Sequence, residues 1–215
     1  MAYIGQAPAN KAVSASDLED GIITNAKLAQ DIISAETELA EAPASTDEFL
    51  ISDGGTLKRL DASFIGGDNT PYFYVRKTSD QTGINHNTAV KATFDTEDLD
   101  TDSAYASNKF TVPSGEGGKY FLFASAPLLA NNVSKLRRAE LMLYKNGSLL
   151  KRTYSDYQAN DIQGSYENVS GIFDLSASDY IETYVRIRTS DSSNSNYIQG
   201  STSTTTVMGG YKLIG

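Results

Sequence analysis

The tract Leu141-Met142-Leu143-Tyr144-Lys145-Asn146-Gly147-Ser148-Leu149-Leu150 does most to limit what this chain can fold into. Two apolar runs meet at Asn146-Gly147. That pair suits positive φ at both centres of a two-residue primed turn, so the runs predict a tight antiparallel hairpin. Similar signals recur from residue 72 onward. Strands are predicted near 72–77, 89–94, 109–112, 119–126, 139–144, 149–154, 166–175, 180–188 and 205–214. Along 180–188, one alternating set is Ile181, Thr183, Val185 and Ile187; the other is Tyr180, Glu182, Tyr184, Arg186 and Arg188. One face can enter a core while the other meets water or a partner. Short strands in this number, with no long helical pattern among them, predict a mainly β fold, a sandwich or jelly roll.

The first third of the chain has different chemistry. Up to Asp68 there are 4 basic and 12 acidic residues; the remainder has 14 and 15. Twelve of 13 tyrosines and six of eight phenylalanines follow residue 71. The contrast predicts two structural units, residues 1–68 and 69–215, joined at Gly66-Gly67-Asp68-Asn69-Thr70-Pro71.

The N-terminal unit contains a repeat of ten. From Ala12, each row opens on two apolar residues and a hydroxyl: Val13-Ser14, Ile23-Thr24 and Ile33-Ser34, with Leu18 and Leu28 also in register. The hydroxyl can cap a short helical turn, and Ser14 with Asp17 fits a capping box. Units this short cannot bury their own apolar face. They predict a thin stalk in which Ile23, Leu28 and Ile33 meet other copies of the chain; the alternative is one amphipathic helix over 15–40, broken at Gly21. Two apolar-rich runs then flank Asp53-Gly54-Gly55, predicting a β-hairpin over 48–60. An isolated hairpin is marginal in water, so it too is expected to pack against copies of itself.

Composition excludes several functions. The net charge of −9 argues against nucleic-acid binding, which needs a basic surface. With no cysteine and only His86, disulfides, thiolate chemistry and multi-histidine metal sites are ruled out. The N-terminus lacks the pattern of a secretory signal, and the apolar run 121–130 is about half a membrane span, so no membrane insertion is expected. Asp98-x-Asp100-x-Asp102 starts like a calcium loop, but Ser103 stands where glycine is required and Lys109 where glutamate is. A solvated acidic loop over 95–102 is the expectation. No nucleophile elbow or phosphate-binding loop is present. The chain is expected to be no enzyme and to need no cofactor or metal.

Four stretches together resemble C1q-like domains of the C1q/TNF superfamily, over residues 85–215. They are Phe110-Thr111-Val112-Pro113 with Gly118-Lys119-Tyr120-Phe121-Leu122-Phe123; Tyr144-Lys145-Asn146-Gly147; the run from Ser170 to Ile181; and Met208-Gly209-Gly210-Tyr211-Lys212-Leu213-Ile214. The resemblance implies a jelly-roll sandwich and a homotrimer, with Tyr120, Tyr184 and Tyr211 on the sheet that faces the threefold axis. Independently, the C-terminal unit carries more aromatic surface than a small sandwich comfortably buries, and tyrosine suits subunit interfaces.

The opening Ala2-Tyr3-Ile4-Gly5-Gln6-Ala7-Pro8, the repeat and the stretch from Phe49 to Lys58 are similar to the front ends of fibre proteins from tailed bacteriophages, marine ones especially. This resemblance implies a virion protein assembled in the host cytoplasm: a trimeric tail fibre with Tyr3, Ile4, Gln6 and Pro8 anchoring it to the tail or another virion protein. Its tip is expected to recognise a host surface glycan or protein. Candidate receptor contacts are Tyr154, Tyr157, Asn160 and Tyr166 in one tyrosine- and amide-rich segment, and Asn194, Asn196 and Tyr197 in the Ser/Thr-rich stretch 189–206. The alternative is a purely structural virion adaptor or decoration protein whose tip binds other phage proteins.

Overall fold

The computed structural model describes residues 43–44, 46–65, 69–202 and 206–213, together with Ser14, Ser16, Leu18, Thr37 and Leu39. The decapeptide repeat with Ile23, Leu28 and Ile33, and the anchoring candidates Tyr3, Ile4, Gln6 and Pro8, lie outside the described residues. The chain divides into two compact units, residues 1–65 and 66–215.

In the first unit, β1 (Glu48–Asp53) and β2 (Thr56–Asp61) form the hairpin over Asp53-Gly54-Gly55. Gly54 and Gly55 hold φ of +58° and +84°, in the left-handed region that glycine enters at no steric cost. A 3₁₀ turn, Ala62–Phe64, follows and is capped by Asp61, whose carboxylate accepts from the Ser63 N–H. Neither the hairpin nor the turn is dry: Leu50 and Leu57 of the hairpin are 76 % and 69 % exposed, and Phe64 of the turn is 77 % exposed.

The second unit contains β3 (Tyr72–Lys77), β4 (Gln81–Ile84), β5 (Val90–Lys91), β6 (Thr96–Asp100), β7 (Tyr105–Ala106), β8 (Lys109–Thr111) and β9 (Gly118–Leu129). These are followed by β10 (Leu136–Lys145), β11 (Ser148–Asp156), β12 (Gly164–Leu175), β13 (Tyr180–Thr189), β14 (Asn196–Ile198) and β15 (Thr206–Lys212). All pairings between these strands are antiparallel. One sheet runs β12-β9-β15-β3-β6, with β14 and then β4 beside the far end of β9. The other runs β11-β10-β13-β8-β7, with β5 also on β13. The chain crosses between sheets repeatedly: β9 lies in the first, β10 and β11 in the second, β12 in the first, β13 in the second and β15 in the first. This winding makes the unit a jelly-roll sandwich.

Strict alternation builds the core. On β9, Tyr120, Leu122, Ala124, Ala126 and Leu128 point inward; on β13, Ile181, Thr183, Val185 and Ile187 do, and all nine are buried. Phe73 of β3 stacks on Phe110 of β8 with ring centroids 4.4 Å apart and planes 10° from parallel, joining the two sheets. Tyr120 tilts against Phe110 at 5.7 Å. Asn146 and Gly147 form the expected turn, with φ of +52° and +77°.

Five strands depart from expectation. The acidic stretch expected to be a solvated loop contains β6, an edge strand paired with β3. Its carboxylates suit an edge, where charge deters pairing with another chain. The short β4, β7 and β14 have too little apolar alternation to signal a strand; the ladders beside them impose extended structure. The expected strand near 89–94 shrinks to the two residues of β5.

Candidate functional site

The candidate sites are the two outward faces of the sandwich. The first sheet's outer face is aromatic. Tyr72 and Tyr74 of β3, Leu99 of β6, Phe121 and Phe123 of β9, and Tyr211 of β15 all point away from the core. Phe121 lies 5.6 Å from Tyr211 and 6.0 Å from Phe123, and Phe123 lies 6.2 Å from Tyr74, between ring centroids. Gly209 makes room for this arrangement, since a Cβ there would stand 2.6 Å from Cζ of Phe123. A groove of about 350 Å³ runs among Tyr72, Tyr74, Leu99, Phe123 and Tyr211. Leu99 is half exposed, and Ile172 on neighbouring β12 is 60 % exposed.

The second sheet's outer face is polar and cationic. Lys91 Nζ reaches Glu182 Oε1 at 2.7 Å, and the Tyr144 and Tyr184 rings sit 4.4 Å apart. Burial pushes the Tyr184 hydroxyl up in pKa, with the Glu182 carboxylate adding to the effect. Further along, the buried carboxylate of Glu140 is surrounded by Arg138, Arg152 and Arg186.

The three tyrosines assigned to a threefold face do not share one surface. Tyr120 is fully buried: its ring occupies an inward position of β9, and its hydroxyl donates to the Glu116 carbonyl oxygen at 2.6 Å. Tyr184 belongs to β13, in the other sheet. Only Tyr211 lies on the outer face of the first sheet, because the parity of a strand position decides the face a side chain takes. Sequence reasoning missed Tyr72, Tyr74, Phe121 and Phe123, which share a face with Tyr211 only through the register of β3 and β9 against β15.

The receptor candidates do not converge. Tyr154 stands on β11 in the second sheet, and Tyr166 on β12 in the first, its hydroxyl donating to Ser125 Oγ at 3.1 Å. Tyr157 is half-buried, its hydroxyl 2.8 Å from Ser165 Oγ. Asn160 is exposed in a turn, and Asn194 is an exposed residue whose Oδ1 accepts from the His86 N–H. Asn196 is fully buried, so it is no surface contact. Its amide donates to the carbonyls of Ile84 at 3.1 Å and Ser193 at 2.6 Å, bracing β14 against β4. Tyr197 is half-buried on β14.

The acidic stretch directs its carboxylates to separate partners. Asp98 pairs with Arg76 at 2.7 Å, Asp100 accepts the N–H groups of Ala104 and Tyr105, and Asp102 accepts the Thr101 hydroxyl. Among the described residues, no three carboxylate or imidazole groups gather to hold a metal ion. His86 Nδ1 accepts from the Thr189 N–H at 3.2 Å, a structural bond.

No family model matches the sequence, and neither does any curated protein. Among solved structures, the chain is similar to murine APRIL, with 13 % identity and a TM-score of 0.47 over 66 % of this chain and 98 % of that one. It is similar to the same degree to the globular domain of zebrafish complement 1qA, with 13 % identity and a TM-score of 0.47 over 67 % and 98 %. By its own topology, the C-terminal unit is an antiparallel jelly roll whose two outward faces differ in chemistry.

Proposed function

We propose that this chain is the protomer of a homotrimeric attachment fibre on the virion of a tailed phage. Its first residues dock on the virion, the repeat region forms an intertwined stem, and the jelly roll is the tip that contacts the host cell surface. The observation that carries the reading is the aromatic outer face of the first sheet. Tyr72, Leu99 and Tyr211 are 37 %, 50 % and 36 % exposed in one copy, and half-buried Tyr74, Phe121 and Phe123 join them in one aromatic surface. Apolar area removed from water stabilises by about 25 cal/mol per Å². Cyclic symmetry lets three copies cover the same face at once. The exposed Leu50 and Leu57 of the hairpin and Phe64 of the turn after it call for the same remedy. Three tips on one fibre gain avidity from individually weak contacts, which suits attachment to a repetitive cell surface.

Light scattering on the full chain tests the reading. The expected mass is three times the 23.2 kDa of one chain. A single-chain mass with the jelly roll folded overturns it. Adherence of the labelled full chain to susceptible host cells then tests the attachment role.

A further inference from the structure

The outer face of the second sheet carries more positive charge than its own carboxylates neutralise. Glu140 of β10 is 3 % exposed. Arg138 Nε lies 3.0 Å from its Oε1 and Arg186 Nη1 lies 3.7 Å from the same oxygen, while Arg152 Nη1 lies 3.5 Å from Oε2. Arg138 also approaches Asp156, at 3.8 Å, and stands directly opposite exposed Arg188 in the β10–β13 register. Three guanidinium groups thus share two carboxylates, and the fourth, on Arg188, stands exposed beside them, in a chain whose net charge is −9.

Stability alone does not call for this arrangement. One arginine would neutralise Glu140, and like charges directly opposite across a strand pair are destabilising. Nor are the groups satisfied. Glu140 Oε2, Arg138 Nε and Arg186 Nε are buried without a hydrogen bond, so the ion pairs hold charge near charge in poor bonding geometry. Beside them, Tyr154 is half exposed, with the Arg138 guanidinium 4.0 Å and that of Arg152 5.7 Å from its ring centre. The result is an aromatic platform edged by planar donor forks.

We propose that the face formed by Arg138, Arg152, Tyr154, Arg186 and Arg188 binds an oxyanion (carboxylate, sulfate or phosphate) borne by a surface polysaccharide. Guanidinium groups recognise oxyanions through paired N–H donors, and the exposed edge of Tyr154 offers an apolar surface to the sugar ring. The surplus positive charge complements an acidic saccharide. The negative charge of the whole chain disfavours a nucleic acid, whose binding draws on many phosphate contacts. The inference deepens the attachment reading by naming the ligand class of the tip, and it rests on that reading.

The test titrates the full chain with polygalacturonate, dextran sulfate, a phosphorylated dextran, neutral dextran and a short DNA duplex. Binding to at least one acidic polysaccharide, weakened by salt and absent for neutral dextran, is expected. The exposed pair of substitutions Arg152→Gln and Arg188→Gln leaves Arg138 and Arg186 on Glu140 and is expected to lower that affinity about tenfold or more. Lys119→Gln, a control on the other sheet, leaves it unchanged. Whether polygalacturonate, dextran sulfate or phosphorylated dextran binds tightest identifies the oxyanion. No binding to any acidic polysaccharide, equal binding to neutral dextran, tighter binding to DNA, or an affinity untouched by the double substitution overturns the proposal. Light scattering separates the two readings. A trimer that ignores acidic polysaccharides removes the arginine site and leaves the fibre. A monomer whose polyanion binding depends on Arg152 and Arg188 removes the fibre and leaves the site.

Discussion

The Tyr120 hydroxyl donates to the carbonyl oxygen of Glu116 across 2.6 Å, tying the inward edge of β9 to the turn that precedes it. Burial pushes this hydroxyl well above the usual tyrosine range, and the Glu116 and Asp102 carboxylates push the same way. Tyr105 is raised by burial and then by Glu97, and its hydroxyl sits buried without a hydrogen-bond partner.

Alkali is therefore expected to weaken the jelly roll. Unfolded tyrosine ionises near pH 10, whereas folded Tyr105 and Tyr120 resist ionisation. Their contribution is complete below about pH 10 and is lost as pH rises from there toward the folded values. Urea midpoints measured from about pH 9 to 11.5 should fall, and less so in Tyr105→Phe and Tyr120→Phe. At neutral pH, Tyr120→Phe should cost about 1 kcal/mol, and Tyr105→Phe close to nothing, because only the first loses a hydrogen bond. Identical alkaline slopes in all three proteins would remove this account.

Acid acts through another residue. Asp179 is pulled down to about 2, first by the Lys145 ammonium, then by the Ser176 N–H, with the Asn146 amide adding to the pull. Lys145 Nζ lies 2.7 Å from it, and Asn146 Nδ2 donates to it at 2.6 Å, so one carboxylate clamps the β10–β11 turn to the turn before β13. A depressed carboxylate stabilises above its unfolded pKa of about 3.9 and loses that contribution as pH falls toward 2. Asp179→Asn should lower the thermal midpoint at neutral pH and flatten its dependence between about pH 4 and 2. An unchanged acid profile contradicts the clamp.

Gly200 allows no side chain. A Cβ there would lie 2.3 Å from the carbonyl carbon and oxygen of Ser79, and backbone cannot swing aside as a side chain does. Gly200→Ala should cost about 3 kcal/mol, at the upper end of overpacking penalties. Denaturant titration checks it, and a loss under about 0.5 kcal/mol, the range of ordinary surface changes, would show that the Ser79 loop yields freely.

The proposed assembly through the aromatic face is expected to be breakable without unfolding the protomer. Leu99 and Tyr211 are 50 % and 36 % exposed in one chain, so neither is needed by its core. Leu99→Arg with Tyr211→Glu is expected to reduce the trimer mass to that of one chain while the jelly roll keeps its far-ultraviolet signature. Retention of the trimer excludes this face from the interface.

The β-rich character of the C-terminal unit and its clearest turn were legible along the chain. Asn146-Gly147 could hardly do anything else between two apolar runs, and the alternation in 180–188 named its inward residues, because turn chemistry and period-two patterning are local properties. The edge strand β6 and the short β14 were not legible, since their residues favour loops and only a neighbouring ladder holds them extended. Site residues were harder still. Tyr120 and Tyr211 belong to the same sheet and share a residue type, yet one fills the core and the other faces out; nothing in the residue itself records that difference of parity.

The arrangement of Glu140 with its three arginines, and Arg188 beside them, shows where sequence stopped. Arg186 and Arg188 could be placed on an outward face from alternation alone. Their meeting with Arg138, Arg152 and Glu140 depends on β11, β10 and β13 lying side by side in a particular register, which the packing of the whole sandwich selects. The amino-acid order determined which segments extend and where they turn. Only the tertiary structure decided which faces meet solvent and which charges gather there, because those outcomes depend on contacts between residues far apart in the chain.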